Sequence, residues 1–151
     1  MILEALLAYA HFAAILTLVV FMTSQAALCR PQWLNADVVR RLGRVDKIYW
    51  GASAAVLATG LARMAWGVKG FGWYAVQPLM QLKIALFIVI ALLALRPTRL
   101  FSRWQRTLAA TGRLPDAAEV NTARRWVMIE AHLLLLLPLA AVFVARGLNW
   151  G

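Results

Sequence analysis

Residues 5–22 read ALLAYAHFAAILTLVVFM, and residues 78–95 read PLMQLKIALFIVIALLAL. His11 in the first and Lys83 in the second are their main interruptions. A helix needs about 20 mainly apolar residues to cross the hydrocarbon of a bilayer. Residues 126–145 supply a third such stretch, and residues 48–66 a weaker fourth. Lipid offers the backbone no water to bond, so helices are the natural way across. The expectation is an all-α integral membrane protein, a four-helix transmembrane bundle. Its spans fall at about 3–28, 47–66, 78–96 and 126–146, and residues 1–151 form a single transmembrane domain.

Composition agrees. The 151 residues are 63% hydrophobic with a mean hydropathy of +0.71, more apolar surface than a soluble domain of this size could hide. The spans and their flanks use up the length, so no room remains for a separate soluble catalytic module. The first span lacks a basic leader and a small-residue cleavage site, and carries Glu4 instead, which argues against a signal peptide.

The net charge is +10, and its placement matters more than its size. Arg30, Arg40, Arg41, Arg44 and Lys47 lie between the first two spans. Arg96, Arg99, Arg103, Arg106, Arg113, Arg124 and Arg125 lie between the last two. Only Lys69 lies between the second and third. Positive-inside bias then places the first and third connections in the cytoplasm and both termini in the periplasm, as in a multi-pass protein of the bacterial inner membrane. The basic connections would face anionic lipid headgroups. No nucleic-acid partner is expected, since no stacking or groove-reading module accompanies the charge. The single Cys29 excludes an intramolecular disulfide and a cysteine metal cluster, and reads as a small buried residue.

Local signals set the element ends. Pro31 stops the first helix, and Asn35 is a candidate N-cap for a basic segment running into the second span. Gly51, Ala55, Ala58, Thr59 and Ala62 recur at helical spacing, which predicts a second span packed inside the bundle. Trp66, Trp73 and Tyr74 mark a membrane–water interface around a glycine-rich outer turn, and Pro78 suits a first helical position. After Pro97, Arg99, Arg103 and Arg106 share one face, and Leu100, Trp104 and Leu108 another. This fits either a short cytoplasmic amphipathic helix on the inner leaflet or a plain extension of the third span. Gly112 and Pro115 end it. Asp116 and Glu119 then form a capping pattern for the last helix, in which Pro138 predicts a kink.

Ionisable groups inside spans are expensive and by default face the bundle. In the first span Glu4, His11, Leu18 and Gln25 share one stripe at seven-residue spacing. At 1.5 Å per residue, His11 lies about 12 Å below the outer surface, Lys83 about 7 Å and Arg63 about 5 Å. All three fall in the outer half, so one imidazole and two cations can converge. A neutral imidazole is a common haem-iron ligand, and cations suit propionates. The competing reading is that His11 bonds across helices while Arg63 and Lys83 snorkel to the surface. His132 lies about 21 Å deep, roughly 9 Å below His11, too far for a simple bis-His site. Glu130 and His132, two apart, point to opposite sides of their helix. Glu130 is expected to pair with Arg124 or Arg125 at the inner surface. The usual enzyme signals are absent: no phosphate loop, no zinc motif and no nucleophile elbow.

The chain resembles a family of small bacterial inner-membrane proteins whose domain has no assigned function. The resemblance rests on Thr59-Gly60-Leu61-Ala62-Arg63, Lys69-Gly70, Trp73-Tyr74, Pro78 and Lys83. Ala8-Tyr9-Ala10-His11-Phe12 and the segment from Pro138 to Ala145-Arg146-Gly147 also carry it. More distantly, His11 and the Leu82-Lys83-Ile84-Ala85-Leu86 segment are similar to the four-helix haem-containing protoporphyrinogen oxidases. The Tyr and His pattern of that family is missing after Ala27, and Arg96-Pro97 stands where it has a third-helix His. This resemblance implies a shared bundle more than a shared reaction.

Three functions follow as expectations. The first is a small redox protein binding haem b or a porphyrin, with His11 on the iron and Arg63 and Lys83 at the propionates. The second is a structural or accessory protein that forms a homo-oligomer or joins a larger membrane complex. The third is a transporter component with Lys83 and Glu130 on one polar path.

Overall fold

A computed structural model describes residues 2–67 and 70–145. Lys69, Arg146 and Gly147, with the end of the fourth expected span, lie outside the described residues. Four long helices account for most of the fold: α1 (Ile2–Leu28), α2 (Ala36–Trp66), α4 (Pro78–Thr111) and α5 (Ala117–Ala145). A 3₁₀ turn (Pro31–Trp33) joins α1 to α2, and the short α3 (Gly70–Ala75) precedes α4. α1 packs on α2, α2 on α4, α4 on α5 and α5 back on α1, which closes a ring.

The ends follow local chemistry. The Asn35 side chain accepts the Val38 N–H at 2.9 Å, satisfying one of the free donors at the start of α2. Pro78 opens α4, where its missing N–H costs nothing. Gly112 closes α4 at φ +68°, a left-handed conformation that only glycine adopts freely, and its N–H donates to the Leu108 carbonyl. The Asp116 carboxylate accepts the Glu119 N–H at 2.8 Å. The reciprocal half of the expected capping box is not made. The Glu119 carboxylate instead accepts from Arg103 and from Trp104 Nε1, tying α5 to α4.

One alternative falls and one expectation needs correcting. Of the two readings of the segment after Pro97, the extension of the third span is the one observed, not a separate amphipathic helix on the inner leaflet. α4 runs through Pro97 for 34 residues, about 51 Å at 1.5 Å per residue, well beyond a hydrocarbon core of about 30 Å. Its apolar face is claimed by protein: Phe101 and Trp104 are buried in one cluster with Val39 and Leu42 of α2 and Val120 and Ala123 of α5. The small-residue face of α2 is also misplaced. Gly51, Ala55 and Ala58 are exposed, while Leu42, Asp46, Tyr49 and Ser53 are buried. Thr59 and Ala62, the remaining members of the expected face, are half-buried.

The packing is uneven along the ring. Buried side chains concentrate at the basic end, from Leu18 to Cys29, Val39 to Ser53, Ile90 to Trp104 and Val120 to Glu130. At the opposite end the helices splay around a cavity of about 1190 Å³. Among the described residues, α1 and α4 are long and apolar enough to cross a membrane. Only 17% and 11% of their most apolar windows is buried, so the apolar residues point outward, as lipid contact requires. Leu6, Phe12, Leu16 and Val20 of α1 and Leu82, Val89 and Leu92 of α4 are among them.

Candidate functional site

The cavity is walled by α1, α2, α4 and α5 and is mainly apolar. Ile15, Leu18, Met64, Phe87, Leu95 and Leu134 supply part of its wall, and Met22 and Trp50 line it toward the basic end of the bundle. Six ionisable side chains also face it: Glu4, His11, Arg63, Tyr74, Lys83 and His132. The sequence placed His11, Arg63 and Lys83 in the outer half, and the fold brings all three to one space. Both cations act electrostatically on the His11 ring, and Arg63 acts on Lys83.

His11 is held from α2. Its Nδ1 lies 2.8 Å from Thr59 Oγ1. The Thr59 hydroxyl has one proton, and it is directed to the Ala55 carbonyl at 2.6 Å. With the hydroxyl proton on Ala55, Thr59 would accept from His11 Nδ1 and the lone pair would lie on Nε2. Gly60 completes the cradle. A Cβ there would sit 3.3 Å from His11 Cε1, so only glycine lets the ring lie this close without shifting. The cross-helix bond expected of a plain structural histidine is thus present. A hydrogen bond of this kind is also how a metal-binding imidazole is oriented.

Arg63 is exposed and Lys83 half-buried, so partial snorkelling is compatible with both. Among the described residues the only ion pairs are Arg40–Asp37 and Arg103–Glu119. Neither Arg63 nor Lys83 is neutralised by a carboxylate, and Glu4, though it lines the same cavity, pairs with neither.

His132 lines the cavity from α5 and is exposed. Its Nδ1 donates to the Met128 carbonyl one turn back, at 2.6 Å. Glu130 faces the opposite way, as its two-residue offset requires. Its expected pairing with Arg124 or Arg125 is not made. Glu130 is fully buried and neither carboxyl oxygen has a hydrogen-bond partner. Arg124 is engaged elsewhere, donating to the Ala26 carbonyl at 3.0 Å. Glu130 is also absent from the cavity wall, so Lys83 and Glu130 do not share one continuous polar lining.

Beneath the cavity floor lies a polar layer of which the sequence reading singled out only Gln25 and Glu130. Gln25 Nε2 donates to Asp46 Oδ1 at 3.0 Å, and Thr98 Oγ1 donates to the same oxygen at 2.9 Å. Trp50 Nε1 in turn donates to Thr98 at 2.8 Å. A periodic signal was available for Asp46. It follows Val39 and Leu42 at i+7 and i+4, on the same buried face as Tyr49 and Ser53. Cys29 at the end of α1 is fully buried, and burial pushes its thiol up to about 12 against the opposing pull of Arg124. This agrees with a packing role.

Among the described residues, no group of three or more His, Cys, Asp or Glu side chains is placed to hold a metal ion. A metal here would have to arrive with most of its own ligands, as iron does in haem. Neither a curated protein nor a solved structure matches the chain. A family model does, over residues 3–149, and with it the apolar outward faces of α1 and α4 find their explanation: the chain belongs to the DUF2214 family, described as predicted membrane proteins.

Proposed function

We propose that this protein is a four-span, multi-pass protein of the bacterial inner membrane that binds a flat amphiphilic anion, with haem b the best-fitting candidate, in a redox role. The observation that carries this reading is the cavity itself. It is mainly apolar, and its polar groups include an imidazole and two cations without carboxylate partners. Pockets of this kind, apolar with a few placed polar groups, suit small molecules. His11 would hold the iron, while Arg63 and Lys83 would meet the propionates. Haem would supply the one-electron chemistry, and the chain would supply orientation and charge. The four-span arrangement is supported by the closed ring, which keeps α2 and α5 alongside α1 and α4. Loop charge supports periplasmic termini and basic cytoplasmic connections against anionic lipid.

The test is the visible spectrum of detergent-purified protein after haem supplementation. The wild type should show a Soret band. His11→Ala should abolish it, while His132→Ala should leave most of it. A colourless, folded wild type would overturn the haem reading and leave the accessory role. Loss of the band in His132→Ala alone would sink the assignment of His11.

A further inference from the structure

The polar layer below the cavity floor is not needed for ligand contact, yet it buries two carboxyls. Glu130 is 0% exposed and both its oxygens lack partners. Asp46 is the other buried carboxyl, at 6% exposure; it lies one turn before Tyr49, Glu130 lies one turn after Val127, and Tyr49 and Val127 belong to one buried cluster. The groups brought to this layer are Gln25 and Cys29 from α1, Asp46, Tyr49 and Ser53 from α2, Thr98 from α4, and Glu130 and Arg124 from α5. Arg124 spends its guanidinium on α1 carbonyls, and no basic side chain among the described residues pairs with either carboxyl. A buried ionised carboxylate without partner is very costly, and a second like charge nearby adds to the cost. Something must neutralise the pair. A multivalent metal lacks ligands here.

We propose that Asp46 and Glu130 together form a buried proton-binding site that holds one proton at neutral pH. Asp46 keeps the two hydrogen bonds that suit an ionised acceptor, from Gln25 and Thr98. Glu130 receives no donor, so the proton resides there, although its titration belongs to the pair. The site communicates with the cavity. Trp50 lines the cavity floor and donates to Thr98, which donates to Asp46. A charged occupant above would therefore alter proton occupancy below. The proposal stands whether or not that occupant is haem.

Infrared spectroscopy of the whole purified protein at neutral pH tests this. The chain has six carboxylic side chains, and the other four are not fully buried, so a protonated carboxyl stretch should come from this pair. The wild type should show one such band, shifted on exchange into D₂O. Glu130→Gln should lose it, while Asp46→Asn should keep it at a displaced frequency. A folded wild type without the band would overturn the proposal, whatever the variants do. So would a band that survives Glu130→Gln. If the band is missing and sodium chloride, but not choline chloride, raises the thermal midpoint, a metal cation neutralises the pair and the proton site falls.

Discussion

Thr98 is the joint on which the polar layer turns, and replacing it tests whether that layer holds the helices together. Thr98→Val keeps the shape but removes the hydroxyl, which accepts from Trp50 Nε1 at 2.8 Å and donates to Asp46 at 2.9 Å. The change strands an indole N–H and takes one of two donors from a buried carboxyl. Each loss costs about 1–3 kcal/mol when the group left behind is shielded from water. Trp50 and Thr98 are only half-buried, so the low end applies to the indole, and about 3 kcal/mol in total is expected. Thr98→Ser retains both bonds and loses one methyl, about 1 kcal/mol. At about 2–4 °C per kcal/mol for a chain of this size, Val should lower the thermal midpoint by roughly 6–12 °C and Ser by roughly 2–4 °C. The assay is thermal unfolding in detergent, followed by tryptophan fluorescence. In an Asp46→Asn background the Val–Ser difference should shrink, because part of the interaction is already gone. Val and Ser variants that melt within about 1 °C of each other would refute the reasoning, since the hydroxyl would then contribute nothing.

Other outcomes follow from the same contacts. Arg63→Gln and Lys83→Gln should each weaken binding of an anionic porphyrin, and the double variant should lose little more, because the first change already releases the ligand; additive losses in a titration would exclude a shared anion site. Gly60→Ala places a Cβ 3.3 Å from His11 Cε1 and should tilt the ring, reducing haem affinity severalfold while barely moving the thermal midpoint; unchanged affinity would mean that the ring orientation is not used. Glu119→Ala should destabilise by about 1–3 kcal/mol by stranding Trp104 Nε1, whereas Glu119→Gln, which still offers an acceptor, should cost much less; equal midpoints would show that the indole bond is not stabilising. A reporter fused after Gly151 should be active only if suited to the periplasm, and cytoplasmic activity there would reverse the orientation drawn from loop charge.

Much of the frame is local and was legible without coordinates. Asn35, Pro78, Gly112 and Asp116 act through neighbours a few residues away, so composition alone locates the ends of α2 and α4 and the start of α5. The stripe of Glu4, His11, Leu18 and Gln25 is equally a matter of helical period. Leu18 and Gln25 are buried and His11 half-buried, as a polar stripe away from lipid requires, while Glu4 near the helix start is exposed. Depth counting at a fixed rise per residue placed His11, Arg63 and Lys83 in the outer half, and all three line one cavity.

Which face meets which neighbour could not be read this way. Charge near Glu130 suggested a surface pairing with Arg124, but the side chain follows Val120, Ala123 and Val127 onto the most buried stripe of α5. Sequence proximity orders residues along a helix, whereas burial depends on rotation about its axis, and only packing against α4 and α1 settles that. The same holds for Gly51, Ala55 and Ala58, which are small enough for a close helix contact but are exposed, while Tyr49, Ala52 and Ser53 take the buried face. Pro97 is the third case. Its ring fits inside α4 because the helix continues onto a protein surface formed by Val39, Leu42, Val120 and Ala123. The sequence alone determined the helices, their ends and the level of the polar groups, since these depend on neighbours along the chain. The tertiary structure alone decided the cavity, the Thr59 and Gly60 cradle and the carboxyl pair, since each is assembled from helices distant in sequence whose rotation no local pattern encodes.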